Sequence, residues 1–420
     1  MNSSFCPNPF IYLTNSTDSK IKYCCLINDG IKDNDGKLFS SDSANMTEVW
    51  NCNEINNVRK KMINDVKLPQ CQVCYKAEEK GGSSLRLDLL SYWYNGSKRP
   101  EFQKMYDEYL SETTMTGPVS VEVRTGSICN LKCRMCYPSC SILIEKEYNK
   151  IQKTEPGWHK LRFGSGSSTV IHDKYFLETI KNFENIEVLR FSGGEPFLNE
   201  STNHLISEAA KSGHSKHIDL YVNTNFTKIT VQLLEDLSTF KTVNIDISLD
   251  GYKQVHEYIR SGLSWTTIEE NLIKLRPYLN ENFYLTTNTT VQNLNVLYLK
   301  EILEWTISEL NITPVLCMLS NPKFLAVNNM PDEMKIEALK RLNELMNSDL
   351  VNNFKNSHWL KGRLTNIIET INLNSDVNTF QEFLYFTKVT DKERNQDFRV
   401  SIPEVAEYYL NYNNQEDINV

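Results

Sequence analysis

The chain has no long apolar run. None of its hydrophobic stretches approaches the roughly 20 residues that a transmembrane helix needs, so we expect no membrane span. The first residues, 1–13, also lack the basic flank and apolar stretch that are typical of a secretory signal. From the sequence we therefore expect a cytoplasmic protein.

The chain also lacks an excess of positive charge. It has 45 Lys and Arg residues against 53 Asp and Glu residues, which gives a net charge of −8. Because neutralisation of phosphates dominates non-specific affinity for nucleic acid, this balance argues against a nucleic-acid partner. Hydrophobic residues make up 40% of the 420, an ordinary globular composition, and this length predicts one large domain with smaller attachments.

Cysteine is nearly absent from the last two thirds of the sequence. Ten of the eleven cysteines precede residue 141, and only Cys317 lies beyond. Disulfides are one reading of so many cysteines, but several have the close spacing of metal ligands and no secretory signal precedes them. This pattern favours metal ligation in a reducing compartment.

From residue 116 onward, strand patterns alternate with helix patterns. Six strands are predicted, at 119–123, 186–191, 218–222, 243–248, 283–287 and 313–318. Helices are predicted between them, at 200–211, 231–238, 267–275 and 296–310. Such alternation predicts an α/β fold with a parallel sheet and right-handed crossovers, open or closed into part of a barrel.

Three regions follow from this reading. Residues 1–112 are a small cysteine-rich module, 113–325 are a partial (β/α)6 TIM-like barrel, and 326–420 are a helical C-terminal cap. The long connection 137–180 is a candidate lid. In the cap, the mixture of aromatic and charged residues over 383–404 predicts a capping helix with solvated charges, or a cover for the active site.

A cysteine motif follows the first predicted strand of the barrel. Cys129, Cys133 and Cys136 form C-x3-C-x2-C in a loop. Three thiolates at this spacing can bind a [4Fe–4S] cube and leave its fourth iron without a protein ligand. The alternative is a zinc site completed by Cys140.

A second motif follows the second predicted strand, about 60 residues later, and consists of Gly193, Gly194, Glu195 and Pro196. A triple-cysteine loop followed by Gly-Gly-Glu-Pro resembles the radical SAM superfamily. The resemblance implies a SAM-binding [4Fe–4S] cluster, with the backbone and Glu195 binding the amino group of the methionine moiety. Glycines permit close approach of a ligand, and a carboxylate offsets its ammonium.

Later strand ends add weaker matches to the same family. Asn223 and Asn225 are similar to its polar strand end near the ribose, although an Asn-rich turn is an equal alternative. Ser248, Asp250 and Arg260 resemble a segment of the peptide-modifying branches, which implies that Ser248 and Arg260 hold the methionine carboxylate. His256 is interpreted as a packing histidine, with a catalytic base as the alternative. Asn288, Thr290 and Gln292 follow the next strand, and it stays open whether their side chains face the cavity.

The N-terminal cysteines form a second set, with Cys6, then Cys24 and Cys25, then Cys71 and Cys74. They resemble the auxiliary-cluster pattern of twitch and SPASM domains, although here the module precedes the barrel. The resemblance implies an auxiliary [4Fe–4S] cluster with four thiolate ligands. Which residue of the Cys24–Cys25 pair is the ligand stays open, and a zinc ribbon is the alternative.

The family resemblance implies reductive cleavage of S-adenosylmethionine to a 5′-deoxyadenosyl radical that abstracts hydrogen from a substrate. A peptide or protein side chain is the first substrate hypothesis, a small metabolite the second and RNA the third. The electron comes from a one-electron donor such as flavodoxin or ferredoxin. A non-catalytic iron–sulfur sensor or scaffold is the competing class, and the sequence identifies no catalytic acid or base.

Overall fold

The computed structural model describes residues 4–79, 82–111, 114–161, 173–375 and 379–415. These residues form two compact units. The first unit comprises Met1–Ile128, Thr169–Val222 and Thr230–Val243, and the second comprises Cys129–Ser168, Asn223–Ile229 and Asn244–Val420. The predicted boundary at residues 112 and 113 lies outside the described residues, as does part of the candidate lid, so both stay predictions.

Ten strands are present in the described residues. They are Tyr12–Asn15 (β1), Ile21–Lys22 (β2), Ser120–Arg124 (β3), Lys132–Cys133 (β4), Val188–Ser192 (β5), Asp219–Thr224 (β6), Thr242–Ser248 (β7), Arg260–Ser261 (β8), Phe283–Val291 (β9) and Thr313–Met318 (β10). Eight of them form one sheet in the order β10-β9-β7-β6-β5-β3-β1-β2, while β4 pairs only with β8. The pairs β1–β3, β3–β5, β5–β6 and β9–β10 are parallel, and β2 is antiparallel to β1.

The fold-class prediction is confirmed. The six predicted strands correspond to β3, β5, β6, β7, β9 and β10, and the C-terminal region is helical. The sheet is larger than six strands because β1 and β2, from the cysteine-rich region, extend it beside β3. All four residues of β1 are buried, so this short segment contributes to the core.

The helices of the first unit are Asn8–Ile11 (α1), Met46–Trp50 (α2), Asn53–Ile63 (α3), Gln72–Glu79 (α4), Leu85–Leu89 (α5), Arg99–Leu110 (α6), Asp173–Lys181 (α8), Glu200–Ser212 (α9) and Val231–Leu237 (α10). Those of the second unit are Ile142–Thr154 (α7), Gln254–Ile259 (α11), Trp265–Leu275 (α12), Leu299–Glu304 (α13), Asp332–Met346 (α14), Asp349–Asn352 (α15), Ser357–Ile371 (α16), Thr379–Arg394 (α17), Phe398–Ser401 (α18) and Pro403–Gln415 (α19). None of the described helices is long and apolar enough to cross a bilayer.

Local sequence signals explain where these elements begin and end. The side chain of Asn199 accepts a hydrogen bond from the backbone N–H of Thr202 and so caps α9. The helix ends at Gly213, whose φ of 78° is a left-handed conformation that glycine adopts at little cost. In β7, alternate residues are buried and half-exposed, so its polar side chains share one face of the sheet.

The C-terminal helices differ from their sequence prediction in one respect. Residues 383–404 are predicted to be a capping helix with solvated charges, or a cover for the active site, and the prediction of solvated charges is wrong for two residues of α17. Asp391 is buried, and the Arg394 side chain is only 1% exposed. Both are withdrawn from water because they form ion pairs inside the second unit, with Arg134 and Glu147 respectively.

Candidate functional site

The cysteine loop, residues 129–136, follows β3 along the chain. Its central strand β4 pairs antiparallel with β8, which places Cys133 opposite Arg260. Cys133 is buried, whereas the other two cysteines of the loop are half-buried. Strand pairing at its centre restricts the backbone of the loop, so that its thiols are presented from a fixed segment.

A fourth thiol lies beside the loop. The thiol of Cys136 donates a hydrogen bond to the sulfur of Cys140, which lies in the 3₁₀ turn Pro138–Cys140. This bond and burial hold the pKa of Cys136 well above its usual range, and the neighbouring thiols of Cys133 and Cys129 raise it further.

The donor chemistry of the cysteine loop fits an iron–sulfur cluster. Thiol sulfurs are the ligands that such clusters take, and this loop offers three of them together. Among the described residues, no three His, Cys, Asp or Glu side chains already stand close enough to hold a single metal ion. The fit therefore rests on the kind of donor and on the spacing of the three cysteines in the sequence.

Arg260 connects the loop to a buried carboxylate. Its Nε donates to Oδ2 of Asp250 at 2.7 Å, and its Nη1 donates to Sγ of Cys133 at 3.7 Å. Burial by itself would lower the pKa of Arg260, but attraction to Asp250 and Cys133 outweighs it and raises the pKa. Asp250 is fully buried and also accepts from the backbone N–H of Thr290 at 2.7 Å. The guanidinium is thus held in its charged form against the loop.

Asn225 contacts the loop from another side. Its Nδ2 donates to Oδ1 of Asn130 at 3.0 Å and lies 3.8 Å from Sγ of Cys129. Its Oδ1 accepts from the hydroxyl of Thr227 at 2.7 Å. The structure therefore brings two predicted site residues, Asn225 and Arg260, to two different cysteines of the loop.

The Gly-Gly-Glu-Pro motif packs against the backbone that leads into the loop. A Cβ atom on Gly193 would lie 2.8 Å from the backbone nitrogen of Thr125, and Gly193 has a φ of +120°. A Cβ atom on Gly194 would lie 2.3 Å from the carbonyl oxygen of Ile128, the residue before Cys129. Only glycine permits this approach, because any side chain would overlap with backbone atoms.

Glu195 is also tied to this backbone. Its N–H donates to the carbonyl of Ile128 at 2.7 Å, and Oε1 accepts from the N–H of Phe197 at 3.2 Å. The side chain is fully buried and begins the short 3₁₀ turn Pro196–Leu198. The predicted contact of Glu195 with the amino group of SAM stays a prediction.

One carboxylate in this region was not predicted from the sequence. Asp246 lies on the half-exposed face of β7, two residues before Ser248, and accepts from Asn223 Nδ2 at 3.0 Å. It also accepts from Thr286 Oγ1 at 2.8 Å and Asn288 Nδ2 at 3.0 Å. Burial raises the pKa of Asp246 against the effect of these donors. The signal that predicts it is the polar alternation Asn-Ile-Asp-Ile-Ser within one strand.

The remaining polar candidates have structural contacts. Thr290 and Gln292 bond to each other through Gln292 Nε2 and the Thr290 carbonyl at 3.3 Å, and Gln292 is fully buried. Nδ1 of His256 accepts from the backbone N–H of Asp250 at 3.1 Å, and burial holds the pKa of His256 well below its usual range. His256 is therefore a neutral packing residue that supports Asp250.

Four N-terminal cysteines share a second site. A cavity of about 30 Å³ in the first unit is lined by Cys6, Cys24, Cys71 and Cys74, together with Arg86 and apolar side chains. Burial, together with the neighbouring thiols of Cys24 and Cys74, raises the pKa of Cys71 to about 12. Four thiols on one cavity are the donor set of a closed [4Fe–4S] site or of a zinc site.

The paired cysteines differ in direction. Cys24 lines the cavity, but Cys25 does not, and its environment includes Glu122 and Arg124 of β3. The Cys25 thiol donates a hydrogen bond to the sulfur of Cys24, which lowers the pKa of Cys24 to about 6. Of the two, Cys24 has the position of a ligand.

One family model matches the central region of the chain. A family model described as the radical SAM superfamily matches residues 123–306. The matched stretch contains the cysteine loop, Gly193 to Pro196 and Ser248 to Arg260. Residues 123–306 are therefore similar to the radical SAM superfamily. No curated protein matches the chain in sequence.

Solved structures give distant similarities. Native anSMEcpe with bound AdoMet is 18% identical with a TM-score of 0.40, over 56% of this chain and 62% of that one. Streptococcus suis SuiB bound to S-adenosylmethionine is 16% identical with a TM-score of 0.38, over 76% of this chain and 67% of that one. TYW1 with a lysine–pyruvate adduct bound is 16% identical with a TM-score of 0.28, over 51% of this chain and 70% of that one.

Proposed function

We propose that the chain is a radical SAM enzyme in which Cys129, Cys133 and Cys136 hold a [4Fe–4S] cluster. The observation that carries this proposal is a loop with three cysteines at C-x3-C-x2-C spacing, whose central strand β4 pairs with β8, inside the matched region. Three protein ligands leave one iron of the cube open, and S-adenosylmethionine would coordinate there. A site closed by four ligands would have no such position.

When bound, the cluster would supply the electron that cleaves the sulfonium bond of S-adenosylmethionine and gives a 5′-deoxyadenosyl radical. The chain's own residues bind and orient S-adenosylmethionine and the substrate, and they exclude water from the radical. Arg260 donates toward the sulfur of Cys133, and such N–H···S contacts tune cluster potentials. Asn225 supports Cys129 in the same way.

The contacts with S-adenosylmethionine extend the proposal to further residues. Gly193, Gly194, Glu195 and Pro196 would bind its amino group, Asn223 and Asn225 its ribose, and Ser248 and Arg260 its carboxylate, with Asp250 holding Arg260. The buried ion pair between Asp250 and Arg260 supports this reading, because it keeps a charged fork beside the loop. The Nε edge of Arg260 faces Asp250.

We further propose that Cys6, Cys24, Cys71 and Cys74 hold an auxiliary [4Fe–4S] cluster. Their common cavity supports it, and so does Arg86, which lines the cavity and is fixed by an ion pair with Glu78. Four thiolates would close all corners of this cluster, which suits electron transfer or a structural role. Zinc is the competing occupant, and metal analysis distinguishes the two.

For the substrate we propose a peptide or protein side chain, with a small metabolite as the alternative. The support is the likeness of the N-terminal cysteines to auxiliary-cluster modules, whose members mostly modify peptides. The electron would come from flavodoxin or ferredoxin, in a reducing cytoplasm. Ten cysteines before residue 141, several at the close spacing of metal ligands, fit such a compartment.

A second candidate function has one observation in its favour. The side chains of Cys136 and Cys140 are hydrogen-bonded, so Cys140 is the candidate for a fourth ligand that would close the loop site around zinc or a cluster. The chain would then be a non-catalytic sensor or scaffold. A closed site has no place for S-adenosylmethionine.

Anaerobic reconstitution with iron and sulfide, followed by dithionite and S-adenosylmethionine, separates the two candidates. The radical SAM proposal expects about eight irons in two clusters, and it expects 5′-deoxyadenosine as a product. It also expects Cys140→Ser to retain cleavage, because Cys140 is not a ligand. Iron for two clusters with no 5′-deoxyadenosine would favour the sensor, and zinc without iron would overturn both cluster assignments.

A further inference from the structure

Helix α17 reaches the cysteine loop through buried charges. Lys132 and Arg134 lie on either side of Cys133 in the sequence, and each belongs to an ion-pair network that includes a residue of α17. The two α17 residues are Asp391 and Arg394, one helical turn apart. The proposed function uses neither of them.

Arg134 is the centre of the first network. Its side chain is fully buried and forms a salt bridge with Asp391. Its guanidinium also lies 3.7 Å from the centre of the Tyr258 ring. Its other acceptors are the hydroxyl of Thr390 at 2.8 Å, the Gln396 side-chain oxygen at 3.0 Å and the Tyr258 carbonyl at 3.1 Å.

Like Arg134, Asp391 forms several further hydrogen bonds. Oδ1 accepts from the hydroxyl of Tyr258 at 3.0 Å, and Oδ2 accepts from the backbone N–H of Phe398 at 2.8 Å. The backbone N–H of Arg134 donates to the carbonyl of Ile259 at 2.9 Å. Side chain and backbone of Arg134 are therefore fixed together, and the residue cannot move without leaving a buried charge unpaired.

Glu147 of α7 is the centre of the second network. It accepts from Nζ of Lys132 at 2.7 Å and from Nη2 of Arg394 at 2.6 Å. The side chains of Glu147 and Arg394 are 4% and 1% exposed, so solvent cannot replace either partner. The residue before Cys133 is thereby tied to α17 through one carboxylate.

We propose that Asp391 and Arg394 are positioning residues, through which α17 holds the cysteine loop on both sides of Cys133 in the arrangement that presents its thiols. Only the effect of these two residues on a cluster bound by the loop rests on the proposed function. The constraint on the loop backbone follows from the contacts alone, so the two can fail separately.

Hydrogen–deuterium exchange of the full-length protein, as purified, tests the constraint on the loop. Asp391→Asn removes the charge that pairs Arg134, and we expect amides of residues 131–136 to exchange at least about tenfold faster. The matched control is Glu393→Gln, which breaks the exposed pair with Lys150 on the same helix. Glu393→Gln should leave exchange in the loop unchanged.

Peptides from the first unit separate a local effect from general unfolding. Asp391→Asn should leave exchange in β1 and α3 unchanged, and Asp391→Glu should restore most of the protection in the loop. If Asp391→Asn does not fold, the neutral pair Arg134→Gln with Asp391→Asn replaces it. Unchanged loop exchange in the folded variant, or equal acceleration throughout the chain, would overturn the proposal.

A spectroscopic measurement on the reconstituted protein tests the consequence for the cluster. The EPR signal of the reduced cluster should change when S-adenosylmethionine is added to wild type and to Glu393→Gln. In Asp391→Asn this change should be lost while iron content stays above half of wild type. The same change in Asp391→Asn as in wild type would overturn a positioning role, whereas no change in wild type would count against the proposed function alone.

Discussion

The two cysteine sites differ in how the chain assembles them. The cysteine loop takes three thiols from eight consecutive residues, whereas the N-terminal cavity takes four thiols from three segments between residues 6 and 74. A local set is recognisable by its spacing. A dispersed set becomes definite only when folding decides which thiols face the same cavity, as the different directions of Cys24 and Cys25 illustrate.

The sites also differ in their surroundings. Arg260 and Asn225 direct donors toward two sulfurs of the loop. The N-terminal cavity is lined mainly by apolar side chains and has one guanidinium, that of Arg86. Hydrogen bonds to sulfur and local charge tune cluster potentials, so we expect the loop cluster and the auxiliary cluster to have different potentials. With three cysteines, the loop has the features of a site that leaves one iron open to a substrate. With four cysteines, the cavity has those of a site that protein ligands close completely.

The largest effect is expected from Cys133→Ala. Loss of one of three ligands should remove the loop cluster and reduce 5′-deoxyadenosine to background, while the auxiliary site keeps its iron. The measurement is chromatography of the product together with iron analysis. Cys317→Ala, at an exposed thiol in β10, is the control. Equal cleavage by Cys133→Ala and wild type would refute the assignment of the loop.

Cys74→Ala should have the opposite effect, because it should remove the auxiliary site and leave the loop site intact. It should cost about four irons and product turnover, because a four-ligand site loses one corner. Cleavage of S-adenosylmethionine uncoupled from product should survive. Cys52→Ala is the control, since Cys52 does not line the cavity. Full iron content in Cys74→Ala would show that the cavity holds no cluster.

Arg260→Gln should weaken the loop site without emptying it. Loss of a residue that orients a metal ligand typically costs about 10- to 100-fold in activity, and we expect such a decrease in the rate of 5′-deoxyadenosine formation. Because the change leaves buried Asp250 unpaired, Arg260→Gln with Asp250→Asn serves as the control for stability. A rate within twofold of wild type, with the fold intact, would remove Arg260 from the site.

The smallest effect is expected from Cys25→Ser. Cys25 lies outside the cavity, so its replacement should leave iron content within about 20% of wild type, whereas Cys24→Ser should cost the auxiliary cluster. Iron analysis of the two variants side by side is sufficient. The reverse ranking would mean that the cavity rearranges to take Cys25 as the ligand.

Much of the fold follows from local pattern. The six predicted strands and the helical C-terminal region are present because alternation of apolar residues and helical periodicity are local properties. Strand β1 is different. Its four residues follow directly on α1, and only pairing with β3 makes them part of the sheet. No local sequence pattern predicts a partner strand that lies more than 100 residues away.

The same limit applies to the site. Asp246 belongs to a recognisable polar face, but the donors from Asn223, Thr286 and Asn288 come from neighbouring strands. The charges of α17 look solvated in sequence because a helix with many charged residues usually faces water. Asp391 is buried because its partner, Arg134, lies 257 positions earlier.

The sequence by itself determined the chemistry: a triple-cysteine loop after a strand, a glycine motif after the next and a parallel α/β framework. These are short-range patterns, since ligand spacing and glycine requirements act over a few residues. Only the tertiary structure decided which N-terminal thiols share a cavity, that Arg260 faces both Asp250 and Cys133, and that α17 holds the loop. Those contacts join distant segments, and burial of charge fixes them because an unpaired ion in the interior is too costly to persist.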